Sequence, residues 1–329
     1  MLQPTQKDTT KYKVDGQLTE RTLLESLRLK HPKAREPSTK TLERYANAPP
    51  KVKITIIEDM VGATSGKLSG GAGLGGPYAT ALQQLLSARG SASTHLRYEV
   101  AHFVEWIVNF NVPWAAICGF MNNRLIALDK MPGIRPIGIG KIWRRLSYKV
   151  LLMATMAEAT EACGVDNLHG GLETGIEGDI YAAKEMWQEM DKEAEVGFTL
   201  VDARNAFNEI NRIVMLWTVR RIWPSESTFI FNCYKHHNTL TIRGDNRFTC
   251  YLHSQEGVTQ GCLLAMVLYA LGLIPLIKIL KHQIQQLQNT WFADDGAAGG
   301  KWEDIKCWYD LLLELGPPVT TSRSQRNLR

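Results

Sequence analysis

The sequence predicts an α+β fold, and three observations carry that expectation. Apolar residues recur at helical spacing in several long segments. Shorter runs rich in β-formers read as strands. The two kinds are mixed, without the regular strand–helix alternation of a doubly wound sheet. The chain has 329 residues, enough to bury a substantial core and to make two or three structural units. Hydrophobic residues at 44% and charged residues at 22% are ordinary values for a globular protein.

Taken in order, residues 1–55 are a polar leader interrupted by Pro4, Pro32, Pro37, Pro49 and Pro50. Within it, Thr19 to Lys30 has helical spacing, with Leu23, Leu24 and Leu27 on one face. Lys51 to Glu58 reads as a short strand or an extended entry, and a glycine-rich stretch follows from Gly62 to Gly76. Helices are expected from Tyr78 to Arg89 and from Thr94 to Val108, the latter on the spacing of Leu96, Val100, Phe103, Val104 and Ile107. Arg124 to Gly140 alternates and breaks at Met131-Pro132-Gly133, the pattern of two joined strands. Trp143 to Cys163 is a long helical pattern, and a glycine-containing joint leads to a helix from Asp179 to Glu195. Val196 to Asp202 is a strand, followed by a helix from Asn205 to Arg221 that Pro224 stops. Thr239 to Ile242 and Phe248 to His253 form a hairpin, Gly261 to His282 a buried helix, and Gln288 to Ala298 a strand, turn and strand.

The bulk properties narrow the setting. The net charge of +5, from 38 basic and 33 acidic residues, permits nucleic-acid binding without arguing for it. Six cysteines stand with no C-x-x-C pair, which argues against a zinc module and a secreted disulfide framework. A reducing compartment, cytoplasmic or nuclear, is therefore expected. The apolar run Cys262 to Ile277 has 16 residues, fewer than the ~20 a bilayer requires. It is read as a core helix, with no membrane partner and no secretory signal at Met1 to Lys13.

The chemistry concentrates where apolar runs end in carboxylates. Asp202 closes the strand Val196 to Asp202, and Asp294 with Asp295 sits at the bend of the last hairpin. Each has a plain structural alternative: Asp202 suits a helix N-cap, and an Asp-Asp-Gly turn suits a hairpin. Side by side, however, two carboxylates repel, and a divalent cation removes that penalty because Mg²⁺ takes hard oxygen ligands while it holds phosphates. Three such acids suit metal-assisted nucleotidyl transfer. Phe207, five residues after Asp202, could back the sugar of a nucleotide. In Ser254 to Cys262, glycines let main chain approach a ligand and Gln260 can hydrogen-bond a base or sugar edge, unless the stretch is simply a loop opening a helix. Lys130 and Arg135 on the bent hairpin could clamp phosphates. The following Lys141, Arg144 and Arg145 read better as solvated surface charge.

These motifs carry a resemblance. Asp202 to Phe207 (DARNAF), Glu256 to Gly261 (EGVTQG) and Phe292 to Asp295 (FADD), in that order, resemble the palm motifs of reverse transcriptases, RNA-directed DNA polymerases. Ala127 to Gly140 (ALDKMPGIRPIGIG) resembles the fingers hairpin of that family, and the retroelement type without long terminal repeats is the nearest in kind. The resemblance spans roughly residues 60–316. It implies a right-hand polymerase with fingers and their connection over residues 56–195 and a palm over 196–316.

The resemblance also implies roles. Asp202 and Asp294 would ligate two Mg²⁺ ions (Mn²⁺ being an alternative), with Asp295 a weaker ligand and the Ala203 carbonyl completing the site. Phe207 would gate the sugar against a 2′-OH, Gln260 and Gly261 would lie against template and incoming base, and Lys130 with Arg135 would hold the triphosphate. The implied partners are an RNA or DNA template with its primer and dNTPs; no protein partner is inferable. Cys262-Leu263 and Phe292 depart from the family pattern, and residues 317–329 turn polar and basic, unlike the family. A thumb is therefore expected to be absent, as in a truncated reading frame. The rival readings are a catalytically inactive retroelement remnant that at most binds nucleic acid, an RNA-templated RNA polymerase, and a nicotinamide-dependent enzyme built on Gly71 to Gly76.

Overall fold

The computed structural model describes residues 9–14, 17–34, 39–47, 52–130, 133–164, 166–167, 174–189, 195–243 and 249–319. In chain order the elements begin with β1 (Thr9–Val14), β2 (Gln17–Thr22), α1 (Leu23–Lys30), α2 (Thr39–Asn47), α3 (Glu58–Ser65) and α4 (Ala79–Ser87). They continue with α5 (Ser91–Asn109), α6 (Trp114–Met121), β3 (Asn123–Asp129), β4 (Ile134–Gly140), α7 (Ile142–Cys163) and α8 (Gly175–Glu189). Next come β5 (Val196–Asp202), α9 (Ala206–Glu209), α10 (Arg212–Ile222), α11 (Ser227–Tyr234), β6 (Asn238–Arg243) and β7 (Thr249–Ser254). The last are α12 (Ala265–Gln283), β8 (Gln288–Phe292), β9 (Asp295–Lys301) and α13 (Trp302–Val319). Helices and strands mix as the α+β expectation requires. The chain divides into two compact units: Met1–Ala154 with Thr228–Leu263, and Thr155–Ser227 with Leu264–Arg329.

The first unit is built on a four-stranded sheet of order β4-β3-β6-β7. The hairpin expected over Arg124 to Gly140 is β3 and β4, antiparallel from Asn123↔Gly140 to Asp129↔Ile134. Its joint Met131-Pro132 lies outside the described residues. β3 runs parallel to β6, and β6 antiparallel to β7. Alternate side chains Leu125, Ala127, Ile134, Leu240 and Leu252 form one buried face, which Leu27 of α1 covers. That alternation is what a sheet covered on one side produces.

Helix α1 starts at Leu23, four residues later than its periodicity suggests. Thr22 accepts from the Glu25 amide while the Glu25 carboxylate accepts from the Thr22 amide, a reciprocal cap that fixes the start. Residues upstream pair instead as the β1–β2 ribbon. Lys53 to Ile57 is extended but unpaired as a strand; Asn109 holds it by accepting from the Ile54 amide and donating to the Ile54 carbonyl. Buried Asn232 of α11 donates to the carbonyls of Ile107 and Phe110 and accepts from the Val112 amide, fixing the turn between α5 and α6.

The second unit carries an antiparallel sheet of order β5-β9-β8. Helix α12 is its core. By length and composition α12 could cross a bilayer, yet 67% of its apolar window is buried inside the protein, as expected of a core helix. Gly272 lets it close on Ile210: a Cβ there would stand 2.9 Å from Ile210 Cγ1. The single helix expected over Asn205 to Arg221 is instead two. Asn211 accepts from the amides of Ile213 and Val214, and that cap starts a new helix at Arg212.

Candidate active site

Strand β5 ends at Asp202 because its neighbour β9 begins at Asp295: the two residues are register partners at the edge of the antiparallel pair. Phe292 pairs with Asp295 across the β8–β9 turn, so Ala293 and Asp294 make a two-residue loop. Hairpin loops of this length favour positive φ, and Ala293 adopts φ +54°. For an alanine that conformation costs about 1–2 kcal/mol. Main chain ties the two ends together, with the Ala203 amide donating to the Asp294 carbonyl at 3.2 Å. Below the loop, Gly296 lies against Trp291; a Cβ there would stand 2.8 Å from the indole. Trp291 in turn packs on buried Trp308, with ring centroids 5.9 Å apart.

Three acidic residues therefore stand at one edge of one sheet, and their electrostatics record it. The Asp295 carboxyl is pushed up from 3.8 to about 6, by partial burial first and then by Asp294, Asp202 and Asp179. Tyr269 of α12, fully buried with a hydroxyl that finds no hydrogen-bond partner among the described residues, has its pKa raised by burial and by Asp294, Asp202 and Asp295. Crowded, mutually repelling oxygens are the donor chemistry a hard divalent cation fits. Among the described residues no three acidic, His or Cys side chains come together as a ready-made metal centre.

Phe207 is partly buried and packs on Tyr269, with ring centroids 5.0 Å apart. Ahead of it, Asn205 takes φ +56° and donates to the Glu209 carboxylate, while Asn208 donates to Asn205. Asp202 is exposed and does not cap this short helix, whose cap residue is Asn205.

The remaining candidates belong to the first unit. Lys130 is exposed, and its amide donates to the Gly133 carbonyl across the hairpin turn. Arg135 is partly buried on β4. Gln260 and Gly261 lie on β4: the Gly138 amide donates to the Gln260 carbonyl at 2.8 Å. Gly261 has φ +96°, and a Cβ on it would meet Ile137 at 2.8 Å. The glycine thus has a structural reason within the unit.

Arg144 and Arg145 correct the expectation of solvated charge. Arg144 is buried and donates to the Met121 carbonyl and to Asn123 Oδ1. Arg145 donates to the carbonyls of Ser69 and Gly71, holding the glycine-rich stretch. That stretch follows a helix and a turn rather than a strand, and Gly73 packs on the Gly140 backbone. A dinucleotide fingerprint needs a strand at that place.

Sequence reasoning missed Tyr269, Asp179 and Asn167. Asp179 accepts from the Thr290 hydroxyl at 2.6 Å. Buried Asn167 accepts from the Ala293 amide and donates to the Ala293 carbonyl. Tyr269 was hidden in the apolar run of its helix, and the two polar residues gain meaning only from long-range contacts.

No protein-family profile matches the chain. It is 25% identical over 221 residues to the retrotransposable element SLACS 132 kDa protein of Trypanosoma brucei gambiense, covering 64% of this chain and 18% of that protein. The chain thus spans about a fifth of that relative's length. The expected likeness to retroelement proteins is met there. Among solved structures it overlaps apo telomerase from Candida tropicalis truncated from its C-terminal domain, with TM-score 0.42 and 11% identity over 59% of this chain and 46% of that one. It also overlaps Candida albicans telomerase in complex with a fragment of telomeric RNA, with TM-score 0.44 and 7% identity over 58% and 40%.

Proposed function

We propose that the chain carries the fingers and palm of a template-directed DNA polymerase of the reverse-transcriptase kind. The observation that supports this most is the acidic edge, where Asp202 and Asp295 are paired in register and Asp294 stands at the adjoining turn. Asp202, Asp294 and Asp295, with the Ala203 carbonyl, would hold Mg²⁺. When bound, the metal supplies Lewis-acid activation of a primer 3′-OH and charge neutralisation at the leaving pyrophosphate. The residues themselves set the position of that charge: the sheet register fixes Asp202 against Asp295, and the Ala203–Asp294 main-chain bond fixes the loop.

Phe207, braced by Tyr269, serves as the wall that admits a deoxyribose and excludes a 2′-OH. In the first unit, the proposal assigns Lys130 and Arg135 to phosphate oxygens, and Gln260 with Gly261 to template or incoming base. The partners are then an RNA or DNA template with primer, and dNTPs.

Primer extension on an RNA template with dNTPs and Mg²⁺, beside Asp294→Ala, tests the proposal. Extension that the variant abolishes supports it. A second reading, nucleic-acid binding without turnover, draws on the want of a preassembled three-ligand cluster among the described residues. Template binding without extension from folded protein would favour it.

A further inference from the structure

We propose that Asn167 is the positioning residue of the acidic turn. The inference rests on the polymerase reading for its consequence and on geometry for its cause. Ala293 is a non-glycine residue held at φ +54° immediately before Asp294 and Asp295, and it is buried. A two-residue hairpin loop calls for positive φ, an alanine adopts it only at a cost, and a partner outside the hairpin can hold it there. Asn167 does so with both halves of its amide: Oδ1 accepts from the Ala293 amide at 3.1 Å, and Nδ2 donates to the Ala293 carbonyl at 3.2 Å.

The side chain thus takes the place of a neighbouring strand for one residue, across 126 positions of sequence. Asn167 is itself wholly buried. Its neighbour Asp166 is anchored by Lys281 at 2.9 Å and Lys278 at 3.7 Å, both on α12. The clamp therefore runs from the core helix through residues 166–167 to the loop that aims two carboxylates. Asp202 is fixed separately, by the β5–β9 register.

Outer partners that orient ligands typically change metal affinity 10–100-fold when removed. The 329-residue chain with Asn167→Ala is compared with the unsubstituted chain by Mn²⁺ titration, followed by electron paramagnetic resonance, and by amide hydrogen exchange. The expected result is an Mn²⁺ Kd raised about 10–100-fold in a folded variant, with exchange faster at Ala293 and Asp294 while the rest of β8 and β9 stays protected. Adding Ala293→Gly, which accepts positive φ without a clamp, should recover part of the affinity.

Unchanged exchange at Ala293, or unchanged Mn²⁺ affinity despite faster exchange, overturns the inference. If the natural sequence itself binds no Mn²⁺, the polymerase reading fails and takes the inference about cation positioning with it. Should Asn167→Ala not fold, Asn167→Asp keeps size and acceptor but loses the donor, and local exchange at Asp294 decides: faster exchange supports the clamp and unchanged exchange refutes it.

Discussion

Replacing Asp295 with asparagine should make the protein more stable at neutral pH when no divalent cation is present. The Asp295 carboxyl is raised from 3.8 to about 6 by partial burial and by Asp294, Asp202 and Asp179. A raised folded-state pKa in an acid means that ionisation opposes folding. Below about pH 4 the group is protonated in both states and costs nothing. Between about 4 and 6 the unfolded chain ionises while the folded one keeps its proton, so stability falls as pH rises. Above 6 the full cost is present. The rise corresponds to about 3 kcal/mol before screening. Because the side chain reaches solvent, screening leaves about 1 kcal/mol, or ~1–3 °C in Tm for a chain of this size. Thermal melts in chelator at pH 4.0 and pH 7.5 measure it. The variant and the natural protein should melt together at the lower pH, and the variant should melt higher at the other. Added Mg²⁺ should raise the natural protein's Tm more than the variant's. A variant that is less stable at pH 7.5, or equally stable at both, would refute the argument that these carboxylates repel.

Three further outcomes follow from the packing and charge. Gly296→Ala forces a methyl group onto the Trp291 ring, 2.8 Å from its nearest atom, and should cost about 1–3 kcal/mol in denaturant melts. Glu226 is buried with Thr155 donating to one oxygen, and burial pushes its carboxyl up to about 8. Ionisation of the unfolded chain from about pH 4.5 should therefore weaken the protein progressively up to about pH 8, by about 3 kcal/mol at pH 7; Glu226→Gln should flatten that slope and match the natural protein near pH 4.5. Phe207→Ala removes the ring that packs on Tyr269 and should admit ribonucleotides in single-nucleotide addition assays; unchanged sugar selection would dismiss Phe207 as the gate.

What could be read ahead of the structure follows from which interactions are local. The strand Val196–Asp202 and the hairpin β3–β4 stood out because period-two burial and a Pro-Gly turn are written in consecutive residues. The acidic bend was visible for the same reason. The break at Ile210 was not, since an Asn211 cap interrupts a pattern whose apolar spacing continues across it. Arg144 and Arg145 were misread because their partners, Asn123 and the carbonyls of Met121, Ser69 and Gly71, are 21 to 76 residues away. Both compact units are assembled from two separate stretches, an interleaving that a reading in consecutive segments does not express. At the candidate site the charged residues were apparent, while Asn167, which holds the loop, and Tyr269, which packs on Phe207 and feels the three acids, were not. A lone Asn beside Asp166 and a tyrosine within an apolar run carry no local signature.

Template-directed synthesis by this acidic edge is tested by single-turnover addition of one nucleotide to a primer, with the natural protein and Asp202→Asn compared on templates that differ in one base. The added nucleotide should follow the template base, chelation should stop the reaction, and Asp202→Asn should lower the rate by at least about 10²-fold. Addition that ignores the template, or that proceeds equally in Asp202→Asn, would contradict it.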